Sequence, residues 1–167
     1  MEPPFPLFFA CAPGLERALA GETRALGLPV TGTVPGGVAS EGGWPEVWRA
    51  NLALRGAARV LVRVAEFRAM HIAQLDKRAR KLDWPRLFDV TTPVTVEAVC
   101  RKSRIYHDRA AAQRVARAIT EATGAPEGGE GALRVLVRIE DDLCTISLDS
   151  SGEPLHRRGT KAFVGKA

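Results

Sequence analysis

Residues 30–42 read VTGTVPGGVASEG, two short strand-forming runs joined at Pro35–Gly36–Gly37. Proline fixes its own φ and glycine accepts the positive φ of a tight reversal, so the stretch predicts a hairpin. Its surroundings constrain the fold more than any other feature. Near the start, FPLFFA is a short apolar strand. A helix follows, PGLERALAGETRALG, opened at Pro13 and closed at Gly27, with Leu15, Ala18, Leu19, Glu22 and Leu26 at helical spacing. Beyond the hairpin, Trp44–Pro45 starts a second helix, WPEVWRANLALRGAAR, and VLVRVAEF closes the segment as a strand.

The order β-α-β-β-α-β over residues 1–68 is that of the ferredoxin-like split βαβ unit. From residue 69 the order changes. MHIAQLDKRARKLDW places Ile72, Leu75, Ala79 and Leu82 on one helix face, with Lys77, Arg78, Arg80 and Lys81 turned to solvent. A short turn, PRLFD, and a strand, PVTVEAVC, come next. The helix from Asp108 to Thr123 sets Ala111, Val115, Ala118, Ile119 and Ala122 against Arg109, Gln113, Arg114 and Arg117. LRVLVRIEDDLCTISLD is a hairpin turning at Glu140–Asp142, with Leu133, Val135, Val137 and Ile139 inward and Ser147 and Asp149 facing solvent. Residues 69–155 therefore read α-α-β-α-β-β. The expected class is α+β, two units packed together, and 167 residues are enough to bury a core.

Several chemistries find no support in the sequence. No run is long enough to span a bilayer, and PFPLFFACAPG lacks the basic lead of a signal peptide. Cys11, Cys100 and Cys144 are odd in number and far apart, as expected of free thiols in a reducing compartment. The three histidines are dispersed, so no metal site is expected. A nucleotide or methyl-donor site calls for a strand, a glycine turn and a helix, and neither glycine cluster precedes a helix. Asp141–Asp142 read as turn residues, not paired catalytic carboxylates. No catalytic or cofactor-binding constellation is expected in this chain.

Charge is more informative. Residues 101–117 hold six basic residues against Asp108, a local +5, and residues 153–167 hold four against Glu153, a local +3. The net charge is +5, so the rest of the chain is −3. An excess confined to two stretches points to a polyanion-binding face. In CRKSRIYHDRAAAQRVARAI a strand enters a basic turn and then a helix beginning between Ser103 and Asp108, with Asp108, or less readily Ser103, as its cap. Arg101, Lys102, Ser103, Arg104 and Arg109 are the expected RNA contacts, followed by Arg114 and Arg117 on the helix and Arg157 and Arg158 in the tail. Tyr106 and His107 could stack on a base or bond a phosphate; packing beside the helix start is the preferred reading.

The segments FFACAPGLERALAGE, GGVASEG, RANLALRGAARVLVRVAEF, SRIYHDRAAAQRV and TISLDSSGEPLHRRG together resemble one family. They are similar to the N-terminal ferredoxin-like plus THUMP region of bacterial ribosomal RNA guanine-N2 methyltransferases. The resemblance implies a ferredoxin-like domain over 1–68, a THUMP domain over 69–155, and in 156–167 a basic connection to a catalytic domain absent from this chain. It implies S-adenosylmethionine as the cofactor of that C-terminal methyltransferase domain and a cytoplasmic location. RNA is the implied partner, ribosomal RNA first and tRNA second. A tRNA-directed THUMP methyltransferase module is one alternative; a ferredoxin-like module docking on a ribosomal protein is another.

Overall fold

The first hairpin turns at Gly36, which takes φ +90°, and packs against Phe8 and Phe9 through Gly37. A Cβ built on Gly37 would lie 2.4 Å from the Phe8 ring and 2.6 Å from the Phe9 carbonyl oxygen, so no other residue fits. The computed structural model describes residues 2–155. The first half runs β1 (Phe5–Ala10), α1 (Glu16–Ala25), β2 (Gly32–Val34), β3 (Gly37–Gly42), α2 (Trp44–Ala53) and β4 (Arg59–Arg68). The second runs α3 (Ile72–Ala79), a 3-10 turn (Trp84–Arg86), β5 (Val94–Arg101), α4 (Asp108–Thr123), β6 (Leu133–Glu140) and β7 (Leu143–Asp149). The α+β class and both element orders are as the sequence predicts.

The two units do more than pack together. All seven strands form one sheet in the order β2-β3-β1-β4-β7-β6-β5. Strand β4 pairs with β1 on one side and with β7 on the other, so each unit covers an edge of the other. Among the described strands only β5 and β6 pair in parallel, and α4 makes their crossover. Register then carries one apolar row across the sheet, because Leu7 opposes Val62, Val62 opposes Leu148, and Leu148 opposes Val135. All four are buried. Leu19 of α1, Val47 of α2 and Ile119 of α4 join the same core. Each such side chain contributes about 1.5–3 kcal/mol, so the two halves are coupled through this row.

Along β6, Val135, Val137 and Ile139 are buried and Leu133, at the strand start, is half-buried. Asp141 and Asp142 take φ of +50° and +64°, the left-handed turn residues expected. Helix α1 begins at Glu16, three residues after the expected opening at Pro13. Two burial expectations also fail. Ser147 and Asp149 are buried, because β7 lies in the sheet interior and Asp149 is ion-paired with Arg59. Ala122 is exposed, since burial on α4 stops at Ile119, a turn before the helix ends.

Candidate nucleic-acid interface

Strand β5 ends at Arg101, and the chain reaches α4 through Lys102–His107. Lys102 adopts φ +46°, a left-handed backbone unusual for a side chain of its size. The β6–β7 turn holds this loop. The Asp142 carboxylate accepts the Arg104 N–H at 2.8 Å, and the Asp142 N–H donates to Ser103 Oγ at 3.0 Å. Ser103 Oγ in turn donates to the Arg101 carbonyl at 2.6 Å.

The helix begins at Asp108, at the late end of the expected window, and His107 occupies the cap position without a capping side-chain bond. Neither expected cap serves. Ser103 is engaged within the loop, and the Asp108 carboxylate accepts the Cys100 N–H at 2.7 Å, fastening the helix start to β5.

Arg101, Lys102, Arg104, Arg109, Arg114 and Arg117 are all exposed, and Ser103 is half-buried. Among the described residues, Arg101, Lys102, Arg104, Arg109 and Arg114 form no ion pair. Arg117 differs. It pairs with Glu121 at 2.7 Å, and Glu121 also pairs with Arg80, which binds Asp76 at 2.9 Å. Hydrogen bonds from Arg80 and then Arg117 hold the Glu121 carboxyl below its ordinary range. Glu140 is the acidic neighbour of Arg101 and Lys102, yet its main partner is Arg138, which donates to it at 3.0 and 2.6 Å. The loop cations therefore keep most of their field for an outside anion. Arg157 and Arg158 lie outside the described residues.

Tyr106 is not packed as the sequence reading preferred. It is 71% exposed, with its ring centroid 4.2 Å from that of His107. His107 backs one side of the ring, and the buried position beside it is taken by Ile105. Asp142 was missed as a loop anchor, and its contact is 38 residues distant in sequence, which no local pattern reveals. A stripe on α2 was also missed. Trp44, Trp48 and Leu52 are exposed at a four-residue period, opposite Val47, Ala50 and Leu54, which are buried.

Among the described residues no cluster of three or more His, Cys, Asp or Glu could hold a metal, and no helix is long and apolar enough to cross a membrane. The three cysteines are free. Burial first, and then the neighbouring Asp108, pushes the Cys100 thiol up to about 11; burial also pushes Cys144 up to about 12.

Two family models match the chain: the RlmL ferredoxin-like domain over residues 6–61 and the THUMP domain over residues 69–149. A curated relative, the ribosomal RNA large subunit methyltransferase K/L of Syntrophotalea carbinolica, is 35% identical over 163 residues. That alignment covers 93% of this chain but 23% of the relative, so the chain spans about a quarter of its length. Among solved structures, a predicted N6-adenine-specific DNA methylase from Listeria monocytogenes superposes with a TM-score of 0.87 at 29% identity. The superposition covers 97% of this chain and 44% of that one. SMU.472, solved in complex with SAH, gives 0.85 at 25% identity, covering 95% of this chain and 45% of that one.

Proposed function

Because this chain joins an RlmL ferredoxin-like domain to a THUMP domain, we propose that it is the RNA-recognition module of an S-adenosylmethionine-dependent RNA methyltransferase. The module holds RNA, and a C-terminal methyltransferase domain holds the methyl donor. SAH in the related SMU.472 structure supports that division. The name of the Syntrophotalea relative favours large-subunit ribosomal RNA over tRNA; guanine N2 as the methylated position is what the sequence resemblance implies. The division into 1–68 and 69–155, and a cytoplasmic site of action, go with this reading.

One observation carries the RNA-binding reading. Arg101, Lys102, Arg104 and Arg109 project from a loop and helix start that Asp142 and Asp108 fasten to the sheet, and no described carboxylate pairs with them. Held cations of this kind position a phosphate backbone with little ordering cost on the protein side. Competition between large-subunit ribosomal RNA fragments and tRNA for a reversibly bound, fluorescently labelled RNA probe tests the substrate. Ribosomal fragments are expected to displace the probe first; preferential displacement by tRNA would move the assignment to a tRNA-directed module.

The α2 stripe favours a second reading, docking on a protein. Trp48 is 64% and Leu52 82% exposed, and such a stripe commonly marks a contact surface. Binding to a ribosomal protein without RNA binding at low salt, removed by the double substitution Trp48→Ser and Leu52→Ser, would replace the first reading with this one.

A further inference from the structure

The starts of α3 and α4 face each other across an apolar groove. Met70 and Ile72 from the first, and Ile105 and Tyr106 from the approach to the second, line it. His71 and His107, the residues at the two helix caps, also line it, with Arg104, and all three are exposed. The Arg104 guanidinium lies against Met70, with Nη1 3.3 Å from the sulfur. Among the described residues no aspartate or glutamate lines the groove.

We propose that this groove holds one unpaired nucleobase of a bound RNA strand, stacked on the exposed Tyr106 ring with His107 behind it. The inference rests on the RNA-binding reading above and adds the chemistry of the contact. A tyrosine that is 71% exposed and backed by another ring at 4.2 Å is an aromatic face without a cover. Apolar walls suit the face of a base, and the exposed Arg104 suits the phosphate that follows it. Arg101, Lys102 and Arg109 add to that positive charge. Aromatic stacking accepts any base, so the groove reads single-strandedness, not sequence. A folded duplex presents no free base face, and the groove has no use for one.

Tyr106 is the only tyrosine in the chain, so its ring protons are identifiable without ambiguity. The experiment titrates the whole chain with a single-stranded RNA octamer and with the same octamer made abasic. We expect the octamer to bind about tenfold more tightly than its abasic form, as base–aromatic stacking supplies. Tyr106→Ala should lose that discrimination and leave the salt dependence unchanged, while Tyr106→Phe should keep it. The Tyr106 ring resonances of the wild type should shift upfield with the octamer and not with the abasic strand. If both strands bind equally, or Tyr106→Ala retains the difference, or the ring resonances stay in place, stacking is refuted while RNA binding stands. If neither strand binds at low salt, the RNA-binding reading fails and the groove proposal with it. A ribosomal protein that shifts the Tyr106 ring where RNA does not would also overturn it.

Discussion

The carboxylate of Asp142 accepts the backbone N–H of Arg104 at 2.8 Å, across 38 residues of chain. With the Ser103 bond at 3.0 Å, this fixes the basic loop to the β6–β7 turn. Asparagine retains the acceptor and tolerates the left-handed φ of +64°, whereas alanine does neither. Asp142→Ala should therefore cost about 1–2 kcal/mol in urea unfolding, and Asp142→Asn well under 1 kcal/mol. RNA affinity should follow the same order, because a loosened loop must be ordered again on binding.

Arg59 and Asp149 form the ion pair at the heart of the shared sheet, and the Asp149 side chain is fully buried. Arg134 is a weaker partner at 4.0 Å, and the Ser151 N–H also reaches Asp149 at 3.0 Å. Arg59→Met strands much of a buried carboxylate's charge and should cost about 3 kcal/mol. Arg134→Met should cost about 1 kcal/mol or less. Equal losses in denaturant midpoint would show that the Arg59 pair does not dominate.

Glu16 braces the first hairpin by accepting N–H groups from Gly36 and Gly14, each at 2.8 Å. The Gly36 bond is the main reason its carboxyl sits below the ordinary glutamate range. A pKa depressed on folding gives stability that is present above the unfolded value and lost as pH falls through the folded one. Glu16→Gln should lower stability at neutral pH and flatten its fall below about pH 4.5. An unchanged acid limb in the variant would contradict the brace.

Thiols raised to about 11 and about 12 at Cys100 and Cys144 are protonated at pH 8. Burial and the nearby Glu16 raise Cys11 as well. Iodoacetamide at pH 8 should label native protein slowly and all three positions readily in urea. Rapid native labelling of Cys144 would show that β7 is not held as described.

Local signals in the sequence were enough for the element order. Pro35–Gly36–Gly37, Trp44–Pro45 and Asp141–Asp142 mark turns and starts by backbone chemistry that needs no tertiary context. Pairing of β4 with β7 was not legible, because nothing in either strand names its neighbour. That omission explains the misreading of Ser147 and Asp149. Period-two alternation gives one face to solvent, but in an interior strand long side chains such as Arg59 close over the second face. Tyr106 failed for a related reason, since a sequence does not show that Ile105 takes the buried place. The basic loop was visible as charge, while its anchoring by Asp142 was not. The α2 stripe was readable at its four-residue period, in the helix that Trp44–Pro45 opens.

The most direct test of RNA recognition by the loop is the salt dependence of single-stranded RNA binding. If the loop neutralises about four phosphates, log K should fall against log salt with a slope of about −3. Replacing Arg101, Lys102, Arg104 and Arg109 by glutamate should abolish most of that slope. Thermal stability should be little affected, because exposed charges typically contribute within about 0.5 kcal/mol each. The same replacement at Lys77, Arg78, Arg80 and Lys81 should leave the slope largely intact. Loss of binding in the α3 variant with retention in the loop variant, or no wild-type binding at low salt, would contradict the account.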